Sequence, residues 1–246
     1  MRMRRIAAAA FALAVVLAPA LASPALAQQI TLDLGEGATV SARVVQLFLL
    51  VTVLSLVPGL AVMVTCFPFI VTVLSILRQA IGLQQAPPNM LIISLSLFLT
   101  WFVMDPVFTE AWTTGIEPLT RNAIPLDQAI TATLAPFRVF MTARLDPDTY
   151  AALAALRPAA PPLLADAPLS LLVPSFLLSE VQRAFEIGFL IFLPFLIIDL
   201  VVAAVLMSMG MMMVPPAVVS LPFKLAFFVV ADGWTLISGA LVRSYF

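Results

Sequence analysis

Residues Ile187 to Trp234 read IGFLIFLPFLIIDLVVAAVLMSMGMMMVPPAVVSLPFKLAFFVVADGW. Two apolar runs lie here, Ile187 to Val214 and Ala217 to Leu241. A helix rises about 1.5 Å per residue, so each run matches the roughly 30 Å hydrocarbon core of a bilayer. The runs are long and do not alternate, which excludes strands and predicts an all-α chain. Val214-Pro215-Pro216 sets a turn between them, because proline cannot continue the preceding helix. The expectation is an apolar helical hairpin over residues 187–246, with a methionine-rich segment, MSMGMMM, at its turn.

The whole composition agrees. The chain has 246 residues, 63% hydrophobic and only 10% charged, with a mean hydropathy of +1.13. A soluble domain carries about 25% charge. A net charge of −1 leaves no basic footprint for nucleic acid. The chain has no histidine and one cysteine, Cys66. That removes histidine-based nucleophilic machinery, histidine metal sites, cysteine clusters and an internal disulfide. With no Gly-rich phosphate loop either, no ATPase is expected. We expect no enzyme, no metal and no cofactor.

Outward from the hairpin, residues 105–186 differ in kind, with nine of the thirteen acidic residues, five arginines and many prolines. They read as a water-facing helical domain. Within it DPDTYAALAAL begins a helix, with Asp146 as cap and Pro147 in the first turn. SFLLSEVQRAFEIGF is an amphipathic helix that leads into the membrane. Residues 44–104 form the first apolar hairpin. Val44 to Leu77 carries no charge and is broken by Pro58-Gly59 and Pro68. It is either one long kinked helix or a span followed by a half-helix covered by protein. The polar turn RQAIGLQQAPPN follows, and a second span runs from Met90 to Met104, ending at Asp105-Pro106. Residues 28–43 read as a flexible arm. Residues 1–27 have the basic, apolar and A-x-A order of a secretory signal peptide, with cleavage expected after Ala27. The alternative is an uncleaved anchor.

Three constellations stand out. Asp199, Lys224 and Asp232 are ionisable groups within apolar helices, where each costs about 2.5–3.5 kcal/mol at a helix centre. They form a structural ion pair that fixes helix register, or an ion path. Phe185, Phe189, Phe192 and Phe195 recur at spacings that place them on one helix face, for helix or subunit packing. The methionines Met207, Met209, Met211, Met212 and Met213 are packing residues or a deformable gate. Gly210 and the proline pair break helical geometry there, and irregular backbone at membrane depth must be buried in protein or line a cavity. One hairpin cannot form a ring, so a gate demands an oligomer.

FLLSEVQRAFEIGFLIFLPFLIIDLVVAAVLMSMGMMMVPPAVVSLPFKLAFFVVADGW, together with LTWFVMDPVF and LRQAIGLQQAPPN, resembles the flagellar biosynthetic protein FliP family, the P subunit of the flagellar type III export gate. The likeness covers roughly Val44 to Phe108 and Val173 onward. It implies a multi-helix, membrane-associated subunit of a pentameric ring in the bacterial inner membrane, at the flagellar basal body, much of it facing the periplasm. The region 105–186 would be its periplasmic insert. The implied partners are the Q and R subunits and the A-type and B-type export membrane proteins, and unfolded flagellar proteins would pass through. Met211, Met212 and Met213 would close the channel, with Met207 and Met209 beside them. The segment Pro174–Gly188 would carry assembly contacts, among them Pro174, Phe176, Ser179, Glu180, Arg183, Phe185 and Gly188. Where many relatives have Ser-Phe-Thr-Arg, this chain has Cys66-Phe67-Pro68-Phe69, so no role of that arginine carries over. Two other readings remain: an ion-coupled transporter using Asp199 and Asp232, and a purely structural scaffold.

Overall fold

The computed structural model describes residues 40–83, 86–157, 167–211 and 213–246. The expected signal peptide, its cleavage site at Ala27, residues 28–39 of the expected arm, and Met212 lie outside them. Every regular element among the described residues is helical, as the unalternating apolar runs require.

The chain divides at Val53/Leu54 into two units. The first holds the opening half of α1 (Val40–Met63), whose described side chains are exposed. Val40 to Arg43, expected in the arm, are helical. Pro58 lies inside α1 and does not end it. The break comes later, at Val64 to Cys66, where Thr65 Oγ1 donates to the Val62 carbonyl at 2.7 Å.

The second unit is built around α2 (Phe67–Ile81). Pro68 sits in its first turn, where no amide donor is needed. Gly82 closes it at φ 90°, donating its N–H to the Gln79 carbonyl at 3.0 Å. Phe69, Ile70, Val73, Leu74 and Leu77 are all buried, on one helical face. They pack against α3 (Asn89–Ala111), α7 (Leu169–Ser208) and α8 (Pro216–Val230). Of the two readings of Val44 to Leu77, the structure has the broken one, an apolar helix long enough to span followed by a covered shorter helix. The apolar character of α2 comes from burial in protein.

Two more breaks fall elsewhere than the prolines suggested. α3 runs through Asp105-Pro106 and ends at Ala111. A π-helical turn, Trp112–Ile116, then leads into the short α4 (Glu117–Thr120). Gly115 lets the turn approach α5 (Leu126–Arg144), for a Cβ there would lie 2.7 Å from the Thr133 nitrogen and 2.9 Å from the Ala129 carbonyl oxygen. α6 (Pro147–Ala154) is capped as its sequence predicts: Asp146 accepts from the Thr149 amide at 2.9 Å and its hydroxyl at 2.7 Å. These bonds hold the Asp146 carboxyl below its usual range.

The long α7 crosses the expected 186/187 boundary without a break, as α3 crosses 104/105. Gly188 brings α7 close to α2, since a Cβ there would fall 2.4 Å from Ile76 Cδ1. The last apolar run, expected as a single arm, is two helices, α8 and α9 (Gly233–Arg243), bent by 61°. Asp232 takes the left-handed conformation at the bend, φ 47°. Among the described residues, three helical stretches are long and apolar enough to cross a membrane: Val44–Met63, Asn89–Thr120 and Leu169–Ser208. The bent α8–α9 pair is a fourth if it forms one span.

Candidate functional site

The α7–α8 hairpin carries most of the residues singled out from sequence. Its arms join through Phe195, which meets Phe227 at 5.8 Å and Phe228 at 6.4 Å between ring centres. Phe195 is buried, Phe192 half-buried, and Phe185 and Phe189 are exposed. The aromatic stripe therefore changes partner along α7. Its C-terminal end packs within the hairpin and its N-terminal end faces outward.

Deeper in the hairpin, Lys224 Nζ donates to Asp199 Oδ2 at 2.6 Å and to the Ala80 carbonyl at 3.3 Å. Ser220 Oγ donates to the other carboxylate oxygen, Asp199 Oδ1, at 2.6 Å. The Lys224 side chain is only 7% exposed and that of Asp199 31%. The ammonium thus lies between the Asp199 carboxylate and the last turn of α2, where the helix dipole is negative. One lysine ties three helices, α2, α7 and α8. Asp232 stands apart: its Oδ1 accepts from Thr235 Oγ1 at 3.2 Å at the α8–α9 bend. The three charges expected from sequence are not one chain of groups but a pair and a separate turn residue.

The methionines sit at the hairpin tip. α7 ends at Ser208, and Gly210 turns the chain with φ 73°. Pro215 and Pro216 start α8. Met207 is 63% exposed, Met209 66%, Met211 41% and Met213 96%. Leu206, one residue before them, is buried. The segment leaves the helix and projects apolar side chains away from its own chain.

The segment Pro174–Gly188 divides by face. Pro174 and Phe185 are exposed and Arg183 is half-buried. Phe176, Ser179, Glu180 and Gly188 are buried within the chain itself. Their contacts are internal because they lie on the face of α7 that covers α2 and the residues around α5. Phe176 meets Phe140 at 5.8 Å, and Ser179 Oγ accepts from the Asp146 amide at 3.0 Å.

Glu180 also belongs to a cluster that sequence reasoning missed. Its Oε1 accepts from Arg144 Nε at 3.1 Å and lies 3.7 Å from Arg183 Nη1. Its Oε2 accepts from the Tyr245 hydroxyl. Arg144 Nη1 donates to the Ser244 carbonyl at 2.8 Å, and its guanidinium lies 4.0 Å over the Tyr245 ring. Burial, and then the Glu180 charge, push the Tyr245 phenol well above its usual range. Arg144 and Glu180 are 36 residues apart and Glu180 and Tyr245 are 65 apart, so no local spacing announces the cluster. The one available signal was a carboxylate at Glu180 four residues from both Phe176 and Ala184, on the buried side of α7. Cys66 is fully buried at the α1–α2 break, and burial pushes its thiol up to about 12. Among the described residues no group of histidine, cysteine and carboxylate side chains could hold a metal.

Comparison with known proteins places this arrangement. The FliP family matches residues 50–241. The flagellar biosynthetic protein FliP of Caulobacter vibrioides is 51% identical over 238 residues, 96% of this chain and 88% of the relative. FliP of Agrobacterium fabrum is 47% identical, over 94% of this chain and 98% of its own length. FliP of Bacillus subtilis is 48% identical, over 82% of this chain and 91% of its own length. The matched span contains the hairpin, the Asp199–Lys224 pair and the methionine segment, and on this likeness the chain belongs to the FliP family.

Proposed function

We propose that this chain is a core subunit of the flagellar type III export gate. Copies of it form a ring in the bacterial inner membrane, much of it facing the periplasm, and unfolded flagellar proteins pass through the centre. The methionines at the α7–α8 tip close that channel. The observation that carries this reading is the exposure of four apolar residues at the α7–α8 tip, Met207 in the last turn of α7 and Met209, Met211 and Met213 in the irregular turn that follows. Water is a poor environment for such a tip, and irregular backbone is poorly tolerated in lipid. Other copies of the same tip satisfy both demands. Methionine is unbranched and deformable, so a collar of it can shut against ions and yield to a passing polypeptide. In this reading 105–186 is the periplasmic insert, 44–104 and 187–246 are the two hairpin regions, and the Q, R, A-type and B-type export proteins are its partners.

The ion-coupled transporter finds less support. Asp199 is already engaged by Lys224 and Ser220, and Asp232 turns to Thr235. A relay needs groups that can exchange a proton in series, and these two sets share no partner among the described residues.

A cysteine at Met213 tests whether copies meet at the tip. The sole native cysteine, Cys66, is fully buried. Met213→Cys is expected to give covalently linked copies on mild oxidation in membranes, whereas the parent gives none. A Met213→Cys protein that stays monomeric while incorporated with its partners would contradict the ring closed by this tip.

A further inference from the structure

The segment after α9 is tied to α2, α5 and α7. Ser244 gives its carbonyl to Arg144 at the end of α5. Tyr245 stacks on Phe140 of α5 at 6.0 Å, with 14° between the planes, and meets Phe69 of α2 edge-on at 5.6 Å. Its hydroxyl reaches Glu180 of α7. Glu180 is fully buried, and the two arginines both lie at its other oxygen, Oε1. The Tyr245 hydroxyl therefore supplies the hydrogen bond at Oε2. At the other end of α9, Gly233 lies against Phe228, so close that a Cβ would fall 2.2 Å from the ring. α9 is held at both ends, and α8, which leads from the methionine tip, is joined to it through the Asp232 bend.

We propose that Tyr245 is a latch: by closing the Arg144–Glu180 cluster it anchors α9, and through the bend it sets where α8 holds the methionine tip. Tyr245 is a positioning residue, acting through α9 and α8. The effect on the tip rests on the gate reading above, whereas the anchoring of α9 does not.

Hydrogen exchange on the purified complex in detergent tests the anchoring, with Tyr245→Phe as the variant. It removes the hydroxyl and keeps the stacked ring. Loss of a hydrogen bond to a buried charge raises local opening by about tenfold or more. The expected result is exchange faster by about that factor in Gly233–Arg243 and in α8, with α3 unchanged. Phe246→Ala, at a side chain 79% exposed, should leave exchange at the parent rate. Unchanged exchange in α9, a uniform rise across the chain, or a loss of folded protein greater than about twofold would each overturn the latch. Small-ion leak across the membrane is read on the same variant. Faster exchange in α8 and α9 with a leak supports both latch and seal. Faster exchange with a tight membrane upholds the anchoring of α9 and counts against its control of a methionine seal.

Discussion

At the scale of single residues, the structure turns charges in an apolar chain into specific demands. Lys224→Met leaves Asp199 with Ser220 alone. Breaking a fully buried pair costs about 3–5 kcal/mol. The Asp199 side chain is left 31% uncovered by its own chain, so the expected loss is at the low end of that range, about 3 kcal/mol. Denaturant unfolding in detergent measures it. The double variant Asp199→Leu/Lys224→Met should recover most of the loss, because no lone charge remains. A second expectation concerns alkaline pH. The Cys66 thiol goes from 9.0 to about 12 on folding, and Tyr245 is also raised. Both stabilise the folded state as neutral groups. Their contribution is whole below about pH 9 and fades as pH rises from there toward 12, by up to about 1.4 kcal/mol per pH unit for each group. Unfolding midpoints that stay level from pH 8 to 11, with Cys66→Ser as reference, would contradict this.

At the scale of elements, glycines mark where helices touch. A side chain at Gly188 meets the Ile76 side chain, which can shift in part, whereas at Gly115 it meets the backbone of α5. Gly188→Ala should therefore cost about 1–3 kcal/mol, the ordinary price of overpacking, and Gly115→Ala more. Thermal unfolding of the two variants side by side gives the order. What the sequence revealed about elements followed from local rules. The Asp146 cap and the Pro215-Pro216 start of α8 are both short-range signals. The misplaced boundaries have a common cause. Pro58 and Pro106 look like breakers, yet each lies inside a helix whose length and surroundings outweigh one missing amide donor. Conversely, the α8–α9 break falls at Asp232-Gly233, a turn dipeptide inside an otherwise apolar run that reads as one continuous arm.

At the scale of the whole molecule, composition was enough for an all-helical, membrane-type chain, and the hairpin motifs were enough for the family. The internal burial of Phe176, Ser179 and Glu180 was not legible, because an apolar face reads the same whether its partner is α2 or another subunit. Tyr245 was overlooked for a related reason: its partners lie far away in the chain. Among the many exposed apolar side chains, four methionines gather at one tip, and this carries the account. The most direct test replaces Met211, Met212 and Met213 together with alanine, verifies that the complex still assembles, and records small-ion leak across the inner membrane. The account predicts a leak in the variant and none in the parent. A tight membrane around an intact complex would contradict it and make these methionines packing residues.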